Sequence, residues 1–223
     1  MKTILFQGDS ITDCGRIRTE NSNSFLKLYN KIKHNTPLGS GYPSLVAKEL
    51  GETYIYENRG VSGDRILDVY ARIVRDIIKI KPDYMSLLVG VNDIWHGFDW
   101  NNGTGIERFI KVYNILIEEL EAELPDMKIM LMEPFVLEGT ATKNRPDQPD
   151  RYVKFRSGVE ELASEVRKIA EEHSLKFIPL QSMLDEAAES IPADKLLSDG
   201  VHPTQEGHRL ITREWLKAFE EIR

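Results

Sequence analysis

Along the whole chain, short and mostly apolar runs alternate with longer segments whose apolar residues recur every three or four positions. That alternation predicts a parallel sheet with helices packed on its faces. Five strands are predicted, at residues 3–7, 54–57, 84–89, 128–132 and 176–179, each a brief apolar run of the kind found in strands covered on both sides. Ile106, Phe109, Ile110, Tyr113, Leu116, Ile117, Leu120 and Leu124 form one helical stripe, and Val159, Leu162, Val166 and Ile169 another. Ile66, Tyr70, Ile73 and Ile77 make a third, while Ile211, Trp215, Phe219 and Ile222 give the last helix a buried face. Core packing explains these stripes better than a cofactor pocket does.

The connections differ in length according to which end of a strand they serve. Those entering strands are short, as at Gly51-Glu52-Thr53, Lys81-Pro82-Asp83 and Pro125-Asp126-Met127. Those leaving strands are long: loops are expected over about 8–39, 90–103 and 133–150. Ligands of open parallel sheets bind outside the carboxyl ends of the strands, so this asymmetry locates the site before any motif is considered.

Composition narrows the classes of partner. A chain of 223 residues, 41% of them hydrophobic, is long enough for a sizeable core and fits one domain spanning 1–223. The net charge of −7 disfavours nucleic acid and anionic membranes. Cys14 is the only cysteine, which rules out an intramolecular disulfide framework. The apolar run after Met1 is too short for a signal peptide and no later run reaches membrane-spanning length, so a cytoplasmic location is expected.

Against that background the predicted sheet edge carries a specific set of polar residues. Gly8-Asp9-Ser10-Ile11-Thr12 follows the first strand, but a serine hydroxyl is a poor nucleophile without a base. Of the five histidines, His34, His96, His173 and His208 have no carboxylate at a suggestive spacing and are read as surface or packing residues. His202 stands three residues after Asp199 in Ser198-Asp199-Gly200-Val201-His202, where one tight turn brings the carboxylate to Nδ1, and Thr204 is positioned to cap the final helix. Ester hydrolysis also needs donors facing the developing oxyanion. Candidates are the backbone N–H of Gly60, in Asn58-Arg59-Gly60-Val61-Ser62-Gly63, and the side-chain amide of Asn92, in Gly90-Val91-Asn92-Asp93. Asp64 and Asp93 are read as caps of the turns or helices that follow. Each feature alone is ordinary turn chemistry; their joint placement on one rim is not.

Gly-Asp-Ser, Gly, Gly-Val-Asn-Asp and Asp-Gly-Val-His-Pro, in this order and across nearly the whole chain, resemble the SGNH (GDSL) hydrolase superfamily. The resemblance implies a flavodoxin-like αβα sandwich on a five-stranded parallel sheet and hydrolysis through an acyl-enzyme. It implies Ser10 as nucleophile, His202 as base, Asp199 as its orienting carboxylate, and the Ser10 N–H, Gly60 N–H and Asn92 amide as the oxyanion hole, with no cofactor and no metal. More narrowly, Gly-Asp-Ser-Ile-Thr-Asp-Cys-Gly-Arg at 8–16, Gly-Val-Asn-Asp-Ile-Trp at 90–95 and Glu-Pro-Phe at 133–135 are similar to intracellular bacterial acetylxylan esterases. The expected substrate is therefore a small ester such as an acetylated xylo-oligosaccharide, with Trp95, Trp100 and Phe135 as candidate substrate-binding residues. The charged, Asn-rich segment at 17–39 does not align with that subgroup, and a homo-oligomer is compatible with everything above.

Lysophospholipid or acyl-thioester hydrolysis is the alternative within the superfamily. A divalent ion among Asp9, Asp13, Asn92, Asp93, Asp199 and His202 would make a phosphoesterase, but no paired-histidine ligand spacing is present. A non-catalytic carbohydrate-binding protein would have no use for Ser10, and Cys14 lies off the nucleophile motif.

Overall fold

The computed structural model describes residues 1–17 and 37–223; His34 and most of the 17–39 segment lie outside the described residues. Five strands, β1 (Lys2–Gly8), β2 (Tyr54–Asn58), β3 (Tyr84–Leu88), β4 (Lys128–Met132) and β5 (Lys176–Ile178), form one sheet in the order β2-β1-β3-β4-β5. Every pairing is parallel, with Ile4 beside Tyr84 and Tyr56, and Leu88 beside Gly8 and Met132. The strands lie where the apolar runs predicted them.

Side chains alternate across the pleat and divide the core in two. On one face Ile4, Phe6, Leu88, Met130 and Met132 pack under α2 (Tyr42–Leu50) and α9 (Gln205–Glu220), which contributes Ile211, Trp215 and Phe219. On the other, Leu5, Met85, Leu87, Ile129 and Leu131 meet α3 (Ile66–Tyr70), α5 (Ile106–Glu123) and α6 (Arg151–Glu172). With helices on both faces the molecule is a three-layer αβα sandwich. The remaining helices are α1 (Ser10–Asp13), α4 (Val91–Trp100), α7 (Gln181–Ala188) and α8 (Ala193–Leu196). None of the described helices is long and apolar enough to cross a membrane.

Two elements depart from expectation. The stripe Ile66, Tyr70, Ile73, Ile77 is not one helix, because α3 gives way to a wide turn over Val74–Ile78 that keeps Ile73 and Ile77 buried. The 90–103 connection, expected as a loop, is mostly α4. Val91, Ile94, Trp95 and Phe98 recur at i, i+3, i+4 and i+7 and pack against the core, which is the ordinary signature of an amphipathic helix.

The chain leaves β1 toward β2 on one side and reaches β3 on the other, so the crossover direction reverses between β1 and β3. In open parallel sheets the loops that follow two such strands part, which makes this the expected place for a ligand. Trp215, fully buried with its ring 5.4 Å from Phe6 and 4.9 Å from Phe219, holds α9 to the sheet near the Phe6 end of β1. Trp215→Ala should destabilise the fold by about 3–5 kcal/mol in urea unfolding; a loss below about 1 kcal/mol would contradict this packing.

Candidate active site

At the carboxyl end of β1 the chain breaks sharply. Gly8 has φ +156° and Asp9 caps α1, its Oδ1 accepting the Ile11 N–H at 2.9 Å, which leaves Ser10 as the first residue of a single helical turn. From the far end of the sequence the stretch Ser198 to His202 closes on itself through a Ser198 N–H to His202 carbonyl bond of 2.8 Å. Asp199 Oδ1 accepts the backbone N–H of both Val201 and His202, at 2.9 and 2.8 Å. Its Oδ2 faces His202 Nδ1 at 2.7 Å, and His202 Nε2 lies 2.9 Å from Ser10 Oγ. Ser10, His202 and Asp199 are thus hydrogen-bonded in series.

The charges in that series are well defined. Asp199 is held at about 2, well below the usual carboxylate range: burial pushes it upward, but the His202 ring and the two backbone donors outweigh burial. An ionised carboxylate only accepts hydrogen bonds, so the proton of neutral His202 sits on Nδ1 and Ser10 donates to Nε2. Asp199 also raises His202 above its ordinary value, against burial, and Asp9 adds to the effect. Asp9 is itself pushed up to about 7 by burial; it is 1% exposed, and its Oδ2 has no hydrogen-bond partner among the described residues.

His208 shows the opposite tautomer. The Tyr42 backbone N–H donates to His208 Nδ1 at 3.2 Å, so the proton is on Nε2, which faces Cys14 Sγ at 3.4 Å. Burial lowers His208 to about 4. This imidazole has no free lone pair for the Cys14 proton, so the pair is not a nucleophile and base. His173 bonds Glu121 at 2.9 Å, and His96 packs edge-on against Trp100.

Two of the three expected oxyanion donors stand at adjoining strand ends, after β1 and after β3. Ser10 N–H heads α1, and Asn92, at the start of α4 after β3, donates one amide hydrogen to the Asp64 carbonyl at 3.0 Å, which fixes the side chain and leaves its second hydrogen. Gly60 requires correction. Its N–H is already donated to Asn58 Oδ1 at 3.0 Å, its carbonyl accepts from Arg16 Nε, and a Cβ there would stand 2.5 Å from the Asp13 nitrogen. Close packing of the β2 loop on α1 is what demands glycine at that position. Gly63, three residues on, has φ +88°, open space where a Cβ would point, and no acceptor for its N–H among the described residues. Asp64 pairs with Arg72, and Asp93 accepts the N–H of Ile66, the first residue of α3, so the latter caps a neighbouring helix rather than its own.

The aromatic residues divide similarly. The Trp95 ring lies 5.8 Å from that of His202 and 6.5 Å from Trp100, to which it is nearly parallel; Trp100 is 61% exposed. Phe135 has no exposed surface and belongs to the core, so it is withdrawn as a substrate contact. Glu133 Oε2 accepts the N–H groups of Leu180 and Gln181, and the Gln181 side chain bonds Val136 twice, which draws 133–137 inward. Farther along, Leu137 N–H bonds the Gly200 carbonyl and Ala141 N–H the Asp199 carbonyl, both at 2.9 Å. Gly139 packs so closely beneath this turn that a Cβ would fall 2.2 Å from the Asp199 carbonyl carbon. Sequence reasoning missed Gly63 and Gly139; the glycine of the Val61-Ser62-Gly63-Asp64 turn was there to be weighed, whereas Gly139 has no local signal. Among the described residues no group of three or more His, Cys, Asp or Glu side chains is arranged to hold a metal ion.

This fold and corner belong to a known family of hydrolases. Residues 6–210 match the model of the GDSL-like Lipase/Acylhydrolase family, so the chain is a member of that family and a carboxylic ester hydrolase. It is 33% identical to an acetylxylan esterase of Geobacillus stearothermophilus over 99% of this chain and 95% of that one. A solved structure of that esterase superposes with a TM-score of 0.78 at 31% identity, covering 97% of this chain and 93% of the other. A GDSL-like protein from Parabacteroides merdae gives a TM-score of 0.85 at 33% identity, covering 98% and 95%.

The contrasting surroundings of the two rings can be read from their titration. In an NMR titration the His202 ring should titrate above 6.5 and that of His208 near 4. Asp199→Asn should lower the His202 value, because the charge that favours imidazolium is gone. The reverse order of the two histidines would contradict the hydrogen-bond assignment.

Proposed function

We propose that this chain is a serine esterase that removes acetyl groups from sugars, with acetylated xylo-oligosaccharides as the substrate class. The observation that carries the reading is the hydrogen-bonded series Ser10, His202, Asp199 with an aromatic wall beside its histidine. In the proposed reaction Ser10 Oγ attacks the acetyl carbonyl carbon as its proton passes to His202 Nε2. Asp199 holds Nδ1–H and favours the imidazolium so formed. The carbonyl oxygen, becoming negative, faces the Ser10 N–H, the free Asn92 hydrogen and the Gly63 N–H, which takes the place first given to Gly60. Collapse expels the alcohol, whose oxygen takes the proton from Nε2, and water then releases acetate by the same route.

The position of Trp95 supports the sugar half of this reading. The leaving oxygen has to approach His202 Nε2 to be protonated, so the alcohol moiety lies on the histidine side of the site, where Trp95 stands. An indole face suits the C–H face of a sugar ring. The net charge of −7 suits a small neutral substrate better than a nucleic acid or an anionic lipid surface. The relative from Geobacillus stearothermophilus is described as an acetylxylan esterase and as an acetyl-xylooligosaccharide esterase. Variants of it described as catalytic mutants replace a serine, an aspartate and a histidine, the last two three positions apart as here.

A kinetic panel tests both halves. Acetylated xylo-oligosaccharide and p-nitrophenyl acetate should exceed p-nitrophenyl octanoate and lysophospholipid in kcat/KM by at least about tenfold, or about 1.4 kcal/mol of transition-state binding. A preference for either of the last two would replace the sugar reading. Asn92→Ala should cost about 10²–10³ in kcat, and near-normal turnover would remove Asn92 from the oxyanion site. The acid limb of kcat/KM should follow the titration of His202 above 6.5, since only the neutral ring accepts the Ser10 proton.

A further inference from the structure

The reaction just described makes no use of one buried ion pair at the edge of the site. The Arg151 side chain has no exposed surface, and a guanidinium in that position is costly unless its donors are matched. Here they are. Nη1 donates to Asp99 Oδ1 at 2.8 Å and to Gln148 Oε1 at 2.5 Å, Nη2 to Asp99 Oδ2 at 3.1 Å, and Nε to the Ala141 carbonyl at 3.0 Å. The guanidinium also lies 5.2 Å from the centre of the Phe98 ring.

What the pair holds is more telling than how it is held. Asp99 stands four residues after Trp95, on the same side of α4, and its Oδ2 accepts the Trp95 indole N–H at 2.6 Å. The tethered ring is the one that lies 5.8 Å from His202. Ala141, whose carbonyl receives Arg151 Nε, donates its own N–H to the Asp199 carbonyl. Arg151 therefore ties together the wall beside His202 and the backbone that carries Asp199, and the more exposed Arg145 reaches the same two groups, Asp99 Oδ1 at 3.2 Å and the Ala141 carbonyl at 3.5 Å.

We propose that Arg151 and Asp99 are positioning residues for the alcohol half of the ester: they lock the Trp95 indole in one orientation, so that a ring-bearing leaving group meets a preformed aromatic face next to His202. The proposal rests on the reading of Ser10 and His202 given above. A tether of this kind removes the ordering cost that a free rim side chain would incur on binding, and it acts on ring-bearing alcohols because only they reach across the indole.

The test compares cyclohexyl acetate with ethyl acetate, which share the acyl group and an unactivated alkoxide but differ in the ring, and runs acetylated xylobiose beside them. Trp95→Phe keeps an aromatic ring, removes the indole donor and leaves Arg151 and Asp99 paired. Asp99→Asn weakens the tether from the other side. Each should lower the cyclohexyl-to-ethyl ratio of kcat/KM by about tenfold, and the double variant should lose no more than the larger single loss, because both break one link. Equal losses on the two acetates, or additive losses in the double variant, would overturn the proposal. Should Asp99→Asn fail to fold with Arg151 poorly paired, the ratio in Trp95→Phe decides alone: an unchanged ratio overturns the proposal. Wild-type turnover of cyclohexyl acetate with none of acetylated xylobiose would discard the sugar substrate while leaving the ratio as the measure of the tether.

Discussion

An imidazole can accept a proton at one nitrogen only if the other already carries one, and the proposed chemistry depends on which nitrogen that is. In this chain the choice is made by a single hydrogen bond, from His202 Nδ1 to Asp199 Oδ2 at 2.7 Å. Asp199 is in turn made a dependable acceptor by the backbone N–H groups of Val201 and His202, which together with the ring hold it ionised at about 2. With Nδ1 protonated, Nε2 is left for Ser10. The His208 ring, given an N–H donor at Nδ1 in place of a carboxylate, is fixed in the other tautomer, although a cysteine sits at its Nε2. Two histidines of the same chain have thus been set to opposite duties by what faces Nδ1.

Keeping that bond in register with Ser10 requires segments far apart in sequence to meet. At the crossover reversal between β1 and β3, Ser10 and Asn92 are delivered by strand ends that lie side by side, Gly8 beside Leu88. The Asp199 turn is delivered by packing instead. Residues 137–141 bond the Gly200 and Asp199 carbonyls, and Gly139 allows the two backbones to touch. A turn so anchored keeps its carboxylate aimed without help from a strand, and Arg151 extends the anchoring to the neighbouring helix through Asp99 and Trp95.

Much of this was legible in the residues, for definable reasons. Strands buried on both faces are short apolar runs, and each of the five appeared as one. The Asp-x-x-His turn is a local feature, readable because its two members bond across three residues. Local chemistry also misled. Gly60 and Gly63 stand in one turn and both suit a close approach, but the identity of what approaches, α1 backbone for the former and open space for the latter, is a tertiary fact. Phe135 followed a strand on the active rim, yet the pull of Gln181 on Val136, 45 residues apart, turned it inward. The helix at 91–100 was missed although its period was present, because long connections on that rim were read as loops. The Arg151 and Asp99 pair, 52 residues apart, leaves no periodic or motif signal at all.

The central claim is that Ser10 forms the covalent acyl-enzyme and that His202 activates it. Peptide mass mapping after exposure to a fluorophosphonate probe addresses both statements together. The account predicts one phosphonylated residue, Ser10, modified rapidly in the wild type and at least about a hundredfold more slowly in His202→Ala, since a serine without its base is a weak nucleophile. Labelling at Cys14 or elsewhere with Ser10 unmodified, or labelling of Ser10 at the same rate without His202, would contradict it.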